Sequence, residues 1–340
     1  MGVFNVLSFG YANRKKAKET VNYANYRQNR AKEELEDQRA STKKHLDLLA
    51  QTKIEAFDNS LYTFLKKCNK ISKAELKAAD VDRSSSSSNI SLATLNTDIA
   101  YQANKFEKAG LALTGSLTAG GIAAGGTFMA VSAFGVASTG TAIGSLSGVA
   151  LTNATLAWLG GGSIAAGGFG VAGGMVALGG IVLAPVAVFG MFMGAKKGTK
   201  ALAEAVEYEA KIDALVEKID TLIEELKLID KASTTFTKTI KSVNALCIVL
   251  NNRLDPIIER LEARSLWQKT KDSLNRLFRK KSYLSCSETA DLQNAINAAK
   301  LLKALIDKPV MAENGGYIQD CLQIIEKSKP EIKKLKLIAG

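Results

Sequence analysis

Ala50, Ile54, Phe57, Leu61, Phe64, Cys68 and Ile71 recur at alternating spacings of four and three. That alternation draws one narrow apolar stripe along a helix. The preceding stretch, RQNRAKEELEDQRASTKKHLDLL, is more polar, and its stripe is looser. Together they predict a helical arm from about Arg14 to Ala79. Tyr208, Ile212, Leu215, Ile219, Leu222, Leu226 and Ile229 repeat the alternation and predict a second arm. The expected arrangement packs the arms antiparallel, with the block between them as the joining tip. The alternative is that each stripe faces some other helix of an ordinary bundle.

The rest of the pattern is also helical. A third long helix is expected from about Thr234 to Arg264, carrying Phe236, Ile240, Val243, Leu246, Cys247, Leu250 and Leu254, with a kink at Pro256. Two shorter helices follow Glu288, split by DKPVMAENGG. Ser84 to Ser88 are expected to form a flexible joint, and a short helix is expected to start near Ser91. Strand signals are almost absent, and the chain has only 4 prolines. The fold class is therefore all-α: an elongated bundle of long amphipathic helices with a Gly/Ala-rich apolar helical hairpin insert. Its parts are an N-terminal coiled-coil arm (1–83), the Ser-rich joint and short helix (84–108), the insert (109–195), the second and third long helices (196–263), and a basic amphipathic helix with C-terminal helices (264–340).

The insert changes the picture. Residues 109–195 contain no Asp, Glu, Lys, Arg or His, and they hold 22 of the 28 glycines. About 20 apolar residues cross a bilayer as a helix. The run offers Leu111 to Phe134, Thr141 to Leu159, and Ile164 to Met193, broken at GVASTG and LGGGS. Lys105 and Lys108 precede it; Lys196, Lys197 and Lys200 follow it. Basic flanks prefer the cytoplasmic side, so an even number of crossings, two or four, is expected. Gly121 and Gly125, Gly140, Gly144 and Gly148, Gly170 and Gly174, and Gly190 and Gly194 stand four apart, a spacing that lets helices approach closely. We assign these glycines and Trp158 to membrane insertion and helix packing. Glycine weakens helices, and small residues add little to insertion. The run is thus marginal, able to enter lipid or to fold away under helices.

The chain carries a net charge of +12 and a pI near 9.4. RSLWQKTKDSLNRLFRKKSYL, Arg264 to Leu284, sets Leu266, Trp267, Leu274, Leu277, Phe278 and Leu284 on one helical face. A basic helix with aromatic residues on its apolar side suits an anionic lipid surface. Trp267, Lys269, Lys271, Arg276, Phe278, Arg279, Lys280 and Lys281 are the candidate lipid-surface residues. Elsewhere acids and bases are mixed along helices, and no nucleic-acid motif accompanies them, so no nucleic-acid partner is expected.

Catalytic chemistry is unmarked, and the protein does not read as an enzyme. Gly168, Gly170 and Gly173 match GxGxxG only through glycine abundance: no strand precedes them and no acidic residue follows until Glu204. Cys68, Cys247, Cys286 and Cys321 form no CxxC pair, and His45 is the sole histidine, so neither a metal nor a cofactor is expected. His45 reads as a solvated residue on a charged helix. Glu33, Glu34, Glu36 and Asp37 read as a solvated face. The basic residues of MGVFNVLSFGYANRKK follow its apolar patch, the reverse of a signal peptide. The expectation is cytoplasmic synthesis, then membrane association or release by a signal-independent route.

An uncharged helical hairpin between long amphipathic helices resembles the α-helical pore-forming toxins of the cytolysin A and haemolysin BL type. The resemblance rests on the arm at Ala50 to Ile71, the run at Ala109 to Ala195 and the arm at Tyr208 to Ile229. It implies a soluble bundle that hides an apolar hairpin and releases it to form an oligomeric pore. The glycine-rich segment is also similar to stretches in uncharacterised bacterial proteins. The expected function is membrane insertion, with a lipid bilayer and either further copies or partner helices as partners. The alternative is a coiled-coil scaffold or adaptor, permanently membrane-anchored or soluble with a buried Gly-rich core.

Overall fold

The alternation of fours and threes is realised as helix throughout a computed structural model that describes residues 3–71, 75, 76, 79, 91–108, 198–263, 284–308, 310 and 317–339. Helix α1 (Val3–Ala56) widens into a π-helix (Phe57–Tyr62) and continues as α2 (Thr63–Lys70). Helix α3 (Leu92–Lys108) starts after Ser91, whose Oγ accepts the Thr94 N–H at 3.1 Å. Next come α4 (Gly198–Asn252), α5 (Asp255–Glu262), α6 (Cys286–Asp307) and α7 (Gln323–Ala339). A reciprocal cap opens α6: Ser285 Oγ accepts the Glu288 N–H at 3.2 Å, and Glu288 Oε2 accepts the Ser285 N–H at 2.8 Å. The fold is all-α.

The second and third long helices expected from the sequence are one helix, α4. Residues 230–234 hold no glycine or proline to break it. Thr235, Thr237 and Thr239 turn their hydroxyls back onto carbonyls four residues earlier, at 2.7, 2.8 and 2.8 Å, and so leave the helical bonds intact. The interruption comes at Arg253 and Leu254, and Pro256 lies in the first turn of α5, where its missing N–H costs nothing.

The chain divides into two compact units. In the first, α1 up to Lys44 packs on α4 up to Asp230. Ala17, Val21 and Ala24 meet Ala201, Ala205, Tyr208 and Ile212 in one cluster; Ala31 and Leu35 meet Ile219 and Ile223 in another. Polar bonds fix the register. Tyr208 Oη donates to Asn25 Oδ1 at 2.6 Å, and Thr42 Oγ1 donates to the Leu226 carbonyl at 3.3 Å. Arg27 pairs with Asp213 at 2.5 Å and Glu209 at 3.5 Å. Ser41 and Gln38 donate to Asp230 Oδ2 at 2.9 and 3.3 Å.

Partner numbers rise together along both helices, with an offset near 184. The helices are therefore parallel, which overturns the antiparallel expectation. A tip cannot close a parallel pair: the intervening chain has to return to the start of the second helix. The stripe of Tyr208 to Ile229 consequently faces the looser, more polar stretch of α1, not Ala50 to Ile71. A disulfide tests this direction. In a Cys286→Ser background, Ala17→Cys with Ala201→Cys should cross-link on mild oxidation, whereas Ala17→Cys with Ile229→Cys should stay reduced. Only neighbouring backbones can be bridged.

In the second unit, Ala50, Ile54, Phe57, Leu61, Phe64, Cys68 and Ile71 are all buried. They share a core with Leu95, Ile99 and Phe106 of α3, Phe236 to Leu250 of α4, Leu254 beyond its end, and Leu292 to Ile306 of α6. Helix α6 packs against the π-helix, α3 and α7, so it is enclosed on several sides and buries even Lys300 and Lys303. Helix α3 runs along both the π-helix and α2. Phe106, in its last turn, meets Phe57 with ring centroids 5.0 Å apart. His45 is half-buried rather than solvated, while Glu33, Glu34, Glu36 and Asp37 are exposed as expected.

Candidate functional site

Two polar clusters lie within the second unit, and the second of them reaches α3. The first surrounds the π-helix. A π-turn inserts one residue and opens the carbonyl ladder to outside donors. Asn251 Nδ2 uses that opening and donates to the Ser60 carbonyl at 3.0 Å. Ser60 Oγ donates to Asn244 Oδ1 at 2.5 Å. Lys67 Nζ donates to the Asn251 carbonyl at 2.7 Å and pairs with Asp255 Oδ1 at 2.7 Å. The Ser60–Asn244 and Lys67–Asn251 contacts share one separation of 184 residues. Parallel packing thus holds here as well.

The second cluster joins α1, α3 and α6. Lys53 Nζ donates to the Lys308 carbonyl at 3.0 Å. Lys303 binds Asp307, and Gln102 of α3 donates to the same carboxylate at 3.5 Å. Burial lowers the Lys53 pKa from 10.5 to about 8, against an opposing pull from Asp307. Between those values the unfolded chain keeps a proton that the folded chain has released. Stability from this group therefore rises with pH from about 8 to 10.5. The wild type should gain on the order of 2 kcal/mol relative to Lys53→Met across that window, read from urea unfolding at its two ends.

These clusters are built to clamp helices. The buried thiols are held protonated: burial pushes Cys68 up to about 12 and raises Cys247 as well. A thiol becomes a nucleophile or metal ligand as thiolate, so these two serve packing. Among the described residues, no group of three or more His, Cys, Asp or Glu could hold a metal ion.

The sequence-assigned residues fall elsewhere. The glycines from Gly121 to Gly194, Trp158, and the lipid-surface set from Trp267 to Lys281 lie outside the described residues. Among the described residues, no helix is long and apolar enough to cross a membrane. No protein-family model matches the chain, and no curated protein or solved structure is significantly similar to it.

The clamp residues went unread in the sequence, yet a signal exists. Ser60 and Lys67 are seven apart beside one apolar stripe, and Asn244 and Asn251 are seven apart beside another. Polar residues repeated at heptad spacing within a core-forming helix mark a register device.

Proposed function

We propose that the protein inserts the uncharged run 109–195 into a lipid bilayer from a charged helical frame. One observation carries the reading: 87 consecutive residues without a charge, about four times what one helical span needs. The frame complements it. Lys108 ends α3, which Phe106 and Gln102 fasten to the second unit, and Gly198 opens α4 in the first. Both ends of the run therefore continue into packed helices. The marginal, glycine-rich composition suits a segment that changes surroundings, and pore formation by several copies belongs to the same proposal.

Vesicle flotation with dye release tests it. Purified protein should float with vesicles at physiological salt and release their contents. Protein that neither floats nor releases dye leaves the scaffold reading.

A further inference from the structure

Parallel packing gathers charges that the sequence keeps far apart. With an offset of 184, Lys200 near the start of α4 stands level with Lys16 of α1. Arg14, Lys15, Lys16, Lys18 and Lys200 are all exposed at this end of the first unit. The acids nearby are Glu19, also exposed, and Glu204, which pairs with Lys200 at 3.9 Å. Five cations stand against two carboxylates.

An exposed tyrosine stands among the cations. Tyr11, Arg14, Lys15 and Lys18 occupy positions i, i+3, i+4 and i+7, which fall on one face of α1. Tyr11 is 75% exposed. Ala17 and Val21, three and seven residues after Arg14, continue along the side that Arg14 begins and are buried against Ala201 and Ala205, so the cations cap the exposed end of the packed stripe. Two uncharged stretches adjoin the cations. Residues 1–13 have no charged side chain, and Gly198 comes three positions after Ala195, the last residue of the uncharged run.

We propose that this basic, tyrosine-bearing end of the arm is a docking surface for anionic phospholipid. The inference rests on the membrane reading above and adds to it a headgroup preference and a place of contact. Lysine and arginine near an anionic leaflet each strengthen binding about fivefold. Tyrosine favours the headgroup level, where its ring is apolar and its hydroxyl is wet. Nucleic acid would also attract the cations. The flanking uncharged stretches have no role in that recognition, whereas a bilayer accommodates them directly.

The test uses the full chain with two kinds of vesicle, phosphatidylcholine alone and phosphatidylcholine with one-third phosphatidylserine. Wild type should bind the anionic vesicles more tightly, with an affinity that falls as salt rises. The triple variant Lys15→Ala/Lys16→Ala/Lys18→Ala should lose on the order of a hundredfold on anionic vesicles. Tyr11→Ala should weaken binding severalfold and leave the salt dependence unchanged. Lys231→Ala/Lys238→Ala, at other exposed lysines, should bind as wild type. Matching circular-dichroism melts will show that the variants fold. A triple variant within twofold of wild type overturns the proposal, as does one that loses duplex DNA while keeping vesicles. Wild type that releases dye equally from both vesicles removes this surface and leaves insertion standing; wild type that ignores every vesicle removes both.

Discussion

Phe57→Ala is expected to cost the second unit about 4 kcal/mol and to loosen α3. Phe57 is fully buried at the start of the π-helix, and its ring lies 5.0 Å from that of Phe106 at a 43° tilt. Truncation removes the transfer energy of the side chain and leaves a cavity in a close-packed core. It also removes the aromatic pairing, worth about 1 kcal/mol beyond area. The π-helix cannot collapse freely into the space. Its Ser60 carbonyl and hydroxyl are bound to Asn251 and Asn244, and Lys67 is bound one heptad further on. Phe106 stands three residues before the uncharged run, so its partner's loss should be felt at the run's root. Native-state hydrogen exchange should report it: protection in residues 92–108 falls by orders of magnitude, while residues 17–42 of the first unit keep theirs. Leu228→Ala, at a residue 46% exposed, should change stability by less than about 0.5 kcal/mol. Equal protection of 92–108 in wild type and Phe57→Ala would mean that Phe57 does not hold α3.

The stripes were legible, and their direction was not. All seven residues from Ala50 to Ile71 are buried; Tyr208, Ile212, Ile219 and Ile229 are buried too, with Leu215, Leu222 and Leu226 half-buried. Burying an apolar stripe needs only the right spacing. A heptad stripe, however, reads alike in both directions, so spacing cannot distinguish parallel from antiparallel partners. The polar layers decide it: Asn25 with Tyr208, Arg27 with Asp213, and Ser41 with Asp230 all advance in the same sense. Their signal is diffuse, because each partner lies more than 180 residues away. Gln28, Arg39 and Thr42, buried within the loose stripe of α1, were the local trace that this helix has a specific partner. Lys300 and Lys303 are buried although lysine is ordinarily a surface residue. Helix α6 is enclosed on several sides, and long side chains can bury their stems while their charged ends reach a polar group. Lys303 does so by binding Asp307. The π-helix was invisible because the apolar stripe runs through it at unchanged spacing: Phe57, Leu61 and Phe64 are four and three apart, and all are buried. The uncharged run stands apart: composition alone marks it, and its residues lie outside those the structure describes.

Placing an arginine at the middle of that run should have the other large effect. Ala150 is the centre of the segment Thr141 to Leu159, bounded by GVASTG and LGGGS. An arginine at the middle of a spanning helix costs about 2.5–3.5 kcal/mol on insertion scales. The run has little to set against that cost, since its glycine, alanine, serine and threonine add almost nothing to insertion. Ala150→Arg should therefore reduce dye release on the order of a hundredfold, from that cost alone. Ser138→Arg supplies the contrast. It places the same charge in the break between segments, where a long side chain can reach the headgroups, and it should reduce release only a few-fold. The two variants also separate insertion from docking. Both leave Tyr11, Arg14, Lys15 and Lys18 untouched, so both should still sediment with phosphatidylserine vesicles. Equal release by wild type and both variants would show that Thr141 to Leu159 does not enter the hydrocarbon. Ala150→Arg silent in release yet bound to anionic vesicles would place the arm of the first unit at the lipid surface and the uncharged run within it.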